Sequence, residues 1–268
     1  MTVVVALQLV RHVFFFQFII CFPLLGKKQA TIFVEIFKNG WIMEFYIDDE
    51  KIEKQFQELF KEILQLRNGE IHSEMKKYGL NYQKALGASV VNLKELAKKY
   101  EPNHLLAQKL WGKGFRETRI VATLLEKPDE VSGEQIKRWL READSNELLE
   151  QLSMNLLIAL PDLDLNLSLW MNPDEEKVQL CATMTIGRFA LIDKSRESAI
   201  FENYINLLPK QPRHSYLIKQ LPRAIGKIAR RNESLKTLVF AKLQDLKEAD
   251  GKWLEIYDEL MAEFPDDI

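Results

Sequence analysis

The sequence predicts an all-α protein in which short helices stack pairwise into a helical-repeat solenoid, an α-α superhelix. Three observations carry this. Apolar residues recur at three- and four-residue steps nearly everywhere after Ile47, the signature of helices with one buried face. The predicted helices are short and joined by loops of about 2 to 6 residues. No run of alternating Val, Ile or Thr after residue 43 suggests a strand. Helices this short cannot bury their faces singly, and pairwise stacking of neighbours solves that problem. A compact helical bundle is the rival arrangement.

The chain divides into an apolar segment, residues 1–42, and a helical domain, residues 43–268. Residues 1–26 are rich in Val, Phe, Ile and Leu, with Arg11 and His12 interrupting the run. Neither half reaches the roughly 20 apolar residues of a spanning helix. Arg11 before Val13–Leu25 resembles a signal or anchor, but Pro23-Leu-Leu-Gly26 is a poor cleavage site. A start placed too early, with translation properly beginning at Met43, is a second reading, and a genuine N-terminal element is a third. A start near Met43 implies a cytoplasmic protein.

The first helix places Ile52, Phe56, Leu59, Phe60, Ile63 and Leu66 on one face. Asp48 or Asp49 is its expected cap and Asn68-Gly69 its end. A short segment to Tyr78 stops at Gly79, and Ala85–Ser89 is a loop. Asn92 is expected to cap Leu93–Tyr100. Pro102-Asn103 starts a helix through Trp111, closed by Gly112 and Gly114. Helices over Phe115–Leu125, Ser132–Glu142 and Ser145–Leu160 follow, and Pro173 opens an apolar helix to about Ile192. The last segments are Ser195–Leu208, His214–Arg231, Glu233–Leu246 and Lys252–Glu263. Pro222 is expected to kink or split the second of these.

Composition narrows the function. The chain has 268 residues, 47% hydrophobic and 28% charged, ample for a packed core. A net charge of -2 says nothing about nucleic acid, so local charge must decide. Cys21 and Cys181 are far apart, and His12, His72, His104 and His214 are scattered. No disulfide framework, metal site or cofactor is expected.

Two local patterns stand out. Between Lys210 and Lys242 the basic residues are Lys210, Arg213, Lys219, Arg223, Lys227, Arg230, Arg231, Lys236 and Lys242, with Glu233 the one acid. Lys219, Arg223, Lys227 and Arg230 or Arg231 fall at helical steps and form one ridge. Like charges repel, and a phosphate backbone is their natural partner. A solvated face offset by the acidic residues after Asp245 is the bland alternative. Near Trp111, the residues Lys109, Lys113, Arg116 and Arg119 form a smaller basic group; Trp139 and Trp170 have core spacing.

The second pattern begins at the loop Leu86-Gly87-Ala88-Ser89, followed by Leu93-Lys-Glu-Leu96-Ala97-Lys98. Ala107-x-x-Leu110-Trp111 and Glu117-x-Arg119-x-x-Ala122-x-Leu124-Leu125 continue it. Ala224-Ile225-Gly226 adds a later match. This order and spacing resembles the DNA alkylation repair family, the AlkD-like HEAT-repeat DNA glycosylases. The resemblance implies a HEAT-like fold, a monomer, double-stranded DNA as partner and excision of cationic alkylated purines. In that chemistry a carboxylate offsets the positive charge that develops at the sugar.

On the matching positions, the family's Trp-Asp-x-x-Asp reads Asn146-Glu147-Leu148-Leu149-Glu150. The resemblance makes Glu150 the candidate catalytic acid and replaces the aromatic with Asn146. The family's Ile-Gly-Trp reads Ile225-Gly226-Lys227, and its Trp-x-Arg-Arg segment reads Val178-Gln-Leu-Cys181, without Arg. Candidate DNA contacts are Lys219, Arg223, Lys227, Arg230 and Arg231, with Lys113 and Arg116. Two functions stay open: a DNA-binding member of this family, with or without glycosylase activity, and a catalytically inactive scaffold that binds a protein partner. The glycosylase reading requires Glu150 and the basic ridge to face one concavity.

Overall fold

The computed structural model describes residues 5–8, 17–23, 29–37, 40–47, 49–77, 82–161, 166, 170–171, 175–195 and 198–264. Arg11, His12, Gly79 and Pro173, which support expectations above, lie outside the described residues. The chain forms two compact units, Met1–Glu130 and Val131–Ile268.

The first unit opens with four strands, β1 (Val5–Gln8), β2 (Gln17–Pro23), β3 (Gln29–Phe37) and β4 (Gly40–Ile47). They pair antiparallel in chain order, with Val34 opposite Met43 and Phe37 opposite Gly40. This corrects the expectation of no strand beyond residue 43, because β4 runs across Met43 to Ile47. The β4 residues Trp41, Ile42, Phe45, Tyr46 and Ile47 are aromatic or β-branched.

From Asp49 the described residues are helical. Asp49 caps α1 (Glu50–Gln65), its carboxylate accepting from the amides of Lys51 and Ile52. Ile52, Phe56, Leu59 and Ile63 are buried as their spacing predicts. Asn68 begins α2 (Gly69–Lys77) rather than ending α1, since its side chain accepts from the amides of Glu70 and Ile71. Ser89, not Asn92, caps α3 (Val90–Ala97). Asn103 caps α4 (His104–Lys113), which Gly114 closes at φ +77°, a left-handed C-cap open to glycine. The sequence continues into α5 (Arg116–Leu125). In this unit α4 packs on α1 and α5, α3 packs on α5, and β4 lies beside α4.

The loop before α3 is held from below. The carboxylate of Glu117, fully buried, accepts from the amides of Leu86 at 2.9 Å and Gly87 at 3.0 Å. Gly87 has φ +80°, and a Cβ there would stand 2.1 Å from the Asn68 carbonyl oxygen. Only glycine meets both demands.

The second unit contains α6 (Gly133–Glu142), α7 (Asn146–Asn155), α8 (Glu176–Ile192), α9 (Ala199–Asn206), α10 (Ser215–Ala229), α11 (Glu233–Lys247) and α12 (Gly251–Glu263). A 3-10 turn, Leu157–Ala159, stands where α7 was expected to continue. Ser132, Ser145, Asn232 and Asp250 cap α6, α7, α11 and α12. α10 is central: it packs on α8, α11 and α12, while α8 also meets α6, α7 and α9. Pro222 does not split α10, which runs unbroken from Ser215 to Ala229 with Pro222 buried. Packing on three neighbouring helices holds the backbone where the proline removes one hydrogen bond. Among the described residues, no helix is long and apolar enough to cross a membrane.

Candidate nucleic-acid interface

The site in the second unit starts from a glycine. A Cβ on Gly187 of α8 would lie 2.9 Å from the Cβ of Ala224 on α10. Two small residues therefore let the two helices meet closely at this point. The residues one step along, Arg188 on α8 and Arg223 on α10, are exposed on the rim of the contact. Lys227, one turn further along α10, is half-buried.

These three cations and Glu150 line one cavity of about 290 Å³, with Met154, Thr183, Met184 and Gln220 among its other walls. Glu150 and part of the basic ridge thus face one concavity. Among the described residues, Arg188, Arg223 and Lys227 have no hydrogen-bond or ion-pair partner. Burial holds the Lys227 amine below the ordinary lysine range, and the charges of Arg188 and Arg223 push it the same way. That combination means positive charge is crowded and uncompensated.

Glu150 is the one carboxylate of the lining, and it is oriented. The hydroxyl of Tyr216 donates to Glu150 Oε1. Tyr216 is placed by the start of α10, where the His214 ring nitrogen Nδ1 accepts from the amides of Tyr216 and Leu217. Burial, and then the hydrogen bond and charge of Glu150, hold the Tyr216 phenol above its ordinary range. The phenol therefore keeps its proton and remains a donor. Beneath the pocket, Tyr204 donates to Thr183 Oγ1 at 3.0 Å. No described residue of the lining is aromatic.

The other expected contacts go elsewhere. Lys219 is exposed on α10 but does not line the cavity. Arg230 pairs with Glu263 at 2.5 Å and sits over the Phe264 ring. Arg231 donates to the carbonyls of Ala190 at 3.1 Å and Asp193 at 2.7 Å, tying α10 to the end of α8. Arg231 thereby also clamps the end of α8. Arg116 is corrected as a DNA contact: it is 2% exposed, paired with Glu117 and bonded to the Ala88 carbonyl at 2.7 Å. A guanidinium inside the core cannot reach a phosphate. Lys113, in the first unit, is half-buried with its amine 5.3 Å from the centre of the Phe60 ring. Trp139 and Trp170 are buried as expected, and Trp111 is buried with them.

Arg188 and Tyr216 were missed from the sequence. Arg188 did leave a signal, being the only charge between Lys177 and Asp193 in an otherwise apolar helix. Tyr216 left none, because its partner is distant in the chain. Two larger cavities in this unit, of about 470 and 560 Å³, hold neither Glu150 nor the α10 cations, and both include acids in their linings. Among the described residues, no group of three or more His, Cys, Asp or Glu side chains could hold a metal ion.

In class this is a helical protein with a carboxylate set among unneutralised cations. Residues 59–212 match the model of the family described as DNA alkylation repair enzyme. The match spans more than half of the sequence, and the chain belongs to that family. A solved structure has the same fold with TM-score 0.56 at 14% identity, covering 71% of this chain and 83% of its own. It is described as a new family of proteins related to the HEAT-like repeat DNA glycosylases with affinity for branched DNA structures. The likeness establishes the HEAT-like helical fold. No curated protein matches the sequence. The family match ends at residue 212, just before α10.

Proposed function

We propose that this protein binds double-stranded DNA through the α8–α10 face, with Arg188, Arg223 and Lys227 on the phosphates and Lys219 beside them. The observation that carries this is the convergence of three unpartnered cations on one cavity. Contacts of this kind are independent of base sequence and position the protein on the backbone. The structural relative's stated affinity for branched DNA supports a preference for distorted duplexes. Titration of labelled duplex at low salt, followed by anisotropy, tests it. Absence of binding by the wild-type chain sinks the proposal.

A second reading, excision of an alkylated purine, is favoured by Glu150. Its carboxylate is held by Tyr216 in the same cavity as the cations. There it would offset the positive charge that develops at the sugar as the N-glycosidic bond breaks and water adds. The aromatic surface that would pack on a base is absent from the described lining. Release of methylated purines from alkylated DNA separates the readings. Excision by wild type and none by Glu150→Gln supports the second; equal release by both removes Glu150 from the chemistry.

A further inference from the structure

Charge counting in the cavity points beyond a general affinity for DNA. The described lining carries three positive side chains, Arg188, Arg223 and Lys227, against the single negative charge of Glu150. The balance is two positive charges. A phosphodiester of the DNA backbone carries one negative charge and leaves the second uncompensated. A phosphomonoester carries nearly two at neutral pH, with three oxygens free to accept. No described residue of the lining is aromatic, so the cavity offers a base no flat apolar face to stack on. The same positive excess repels a cationic alkylated purine.

We propose that this cavity is a phosphomonoester site, and that its ligand is the terminal phosphate of a DNA strand end. The inference rests on the DNA-binding reading above and names the part of DNA that enters the cavity. Arg188 and Arg223 reach it from the rim and offer planar forks to the phosphate oxygens. Lys227 closes on it from α10. Burial and two neighbouring arginines hold the Lys227 amine below its ordinary range, and a bound dianion relieves that. One oxygen of Glu150 is held by the Tyr216 hydroxyl.

The test compares two duplexes of one sequence, one with terminal phosphates and one with hydroxyl ends, binding to the full chain. The phosphorylated duplex is expected to bind about tenfold more tightly, the scale of one charge-assisted hydrogen bond. The preference should vanish in Arg188→Gln and Lys227→Met. It should grow in Glu150→Gln, where a negative charge has been removed. Below about pH 6, where the monoester dianion takes up a proton and becomes a monoanion, the preference should shrink. Lys219→Gln, outside the cavity, should weaken both duplexes and leave their ratio unchanged. Arg188 is exposed, so its variant keeps the core, and thermal unfolding checks this.

Inorganic phosphate alone, watched through the side-chain nitrogen resonance of Lys227, tests the cavity without DNA. A shift saturating with phosphate but not with chloride is expected. Competition by inorganic phosphate that is as strong as that of a phosphorylated oligonucleotide would assign the site to a small phosphate instead of a strand end. Equal affinity for the two duplexes overturns the proposal while leaving general DNA binding intact. So does a preference that survives Arg188→Gln and Lys227→Met. Failure to bind either duplex removes the DNA-binding reading, and the Lys227 resonance then decides the cavity on its own.

Discussion

Lys227 is the residue at which local chemistry and global packing pull in opposite directions. Folding half-buries its amine and sets two arginines against it. A lysine held below its ordinary range costs stability wherever it is still protonated. The unfolded chain binds that proton more tightly, so stability rises with pH between the folded and ordinary values. Lys227→Met should therefore raise the melting temperature at neutral pH, and the gain should fade as pH climbs into the ordinary lysine range. A gain that is constant with pH would show that packing, not charge, was relieved. Glu150 was legible in the sequence through the family pattern alone. Its orienting partner Tyr216, 66 positions away, was not, because a hydrogen bond between distant segments leaves no local periodicity.

Among the elements, α8 and α10 make the site, and their closeness depends on Gly187 and Ala224. Gly187→Ala would bring two Cβ atoms to 2.9 Å, so the helices must part by a few tenths of an ångström or more. Overpacking of this kind costs about 1–3 kcal/mol. It should also weaken DNA binding, because Arg188 moves away from Arg223 and Lys227. Adding Ala224→Gly should restore both stability and binding. A double variant as weak as the single one would mean that the glycine serves some other contact. Helix caps at Asp49, Asn103, Ser132 and Ser145 were readable as residue types before an apolar run. The caps at Asn68 and Ser89 were misplaced, since Asn-Gly reads equally as an ending and Asn92 competes with a serine three positions earlier. Strand β4 was missed because Ile47 and Ile52 look continuous with the first helix's periodicity.

On the scale of the whole molecule, a net charge of -2 forbids any attraction to DNA through overall charge. Binding must come from a local cluster of cations left without partners, and Arg188, Arg223 and Lys227 form one. With three in the cavity and Lys219 beside them, the slope of log K against log salt should be about -4. Arg223→Gln should reduce its magnitude by about one. A slope near zero would remove the phosphates from the interface. A slope far steeper would require further cations, such as Lys113.

The sequence by itself determined the helical class, the position of most helices and the family. Each depends on neighbours within a turn or two, where apolar spacing and capping residues act directly. It also determined which stretch is basic. Which of those basic residues remain available was decided by tertiary structure alone. Arg116 is buried against Glu117, Arg230 pairs with Glu263 at the surface, and Arg231 bonds the end of α8. Arg188 enters the site from a helix that reads as apolar, and Glu150 faces the cations only because α7, α8 and α10 pack together. A charge given an internal partner by folding is less available to a ligand, and that pairing is settled across segments far apart in the chain.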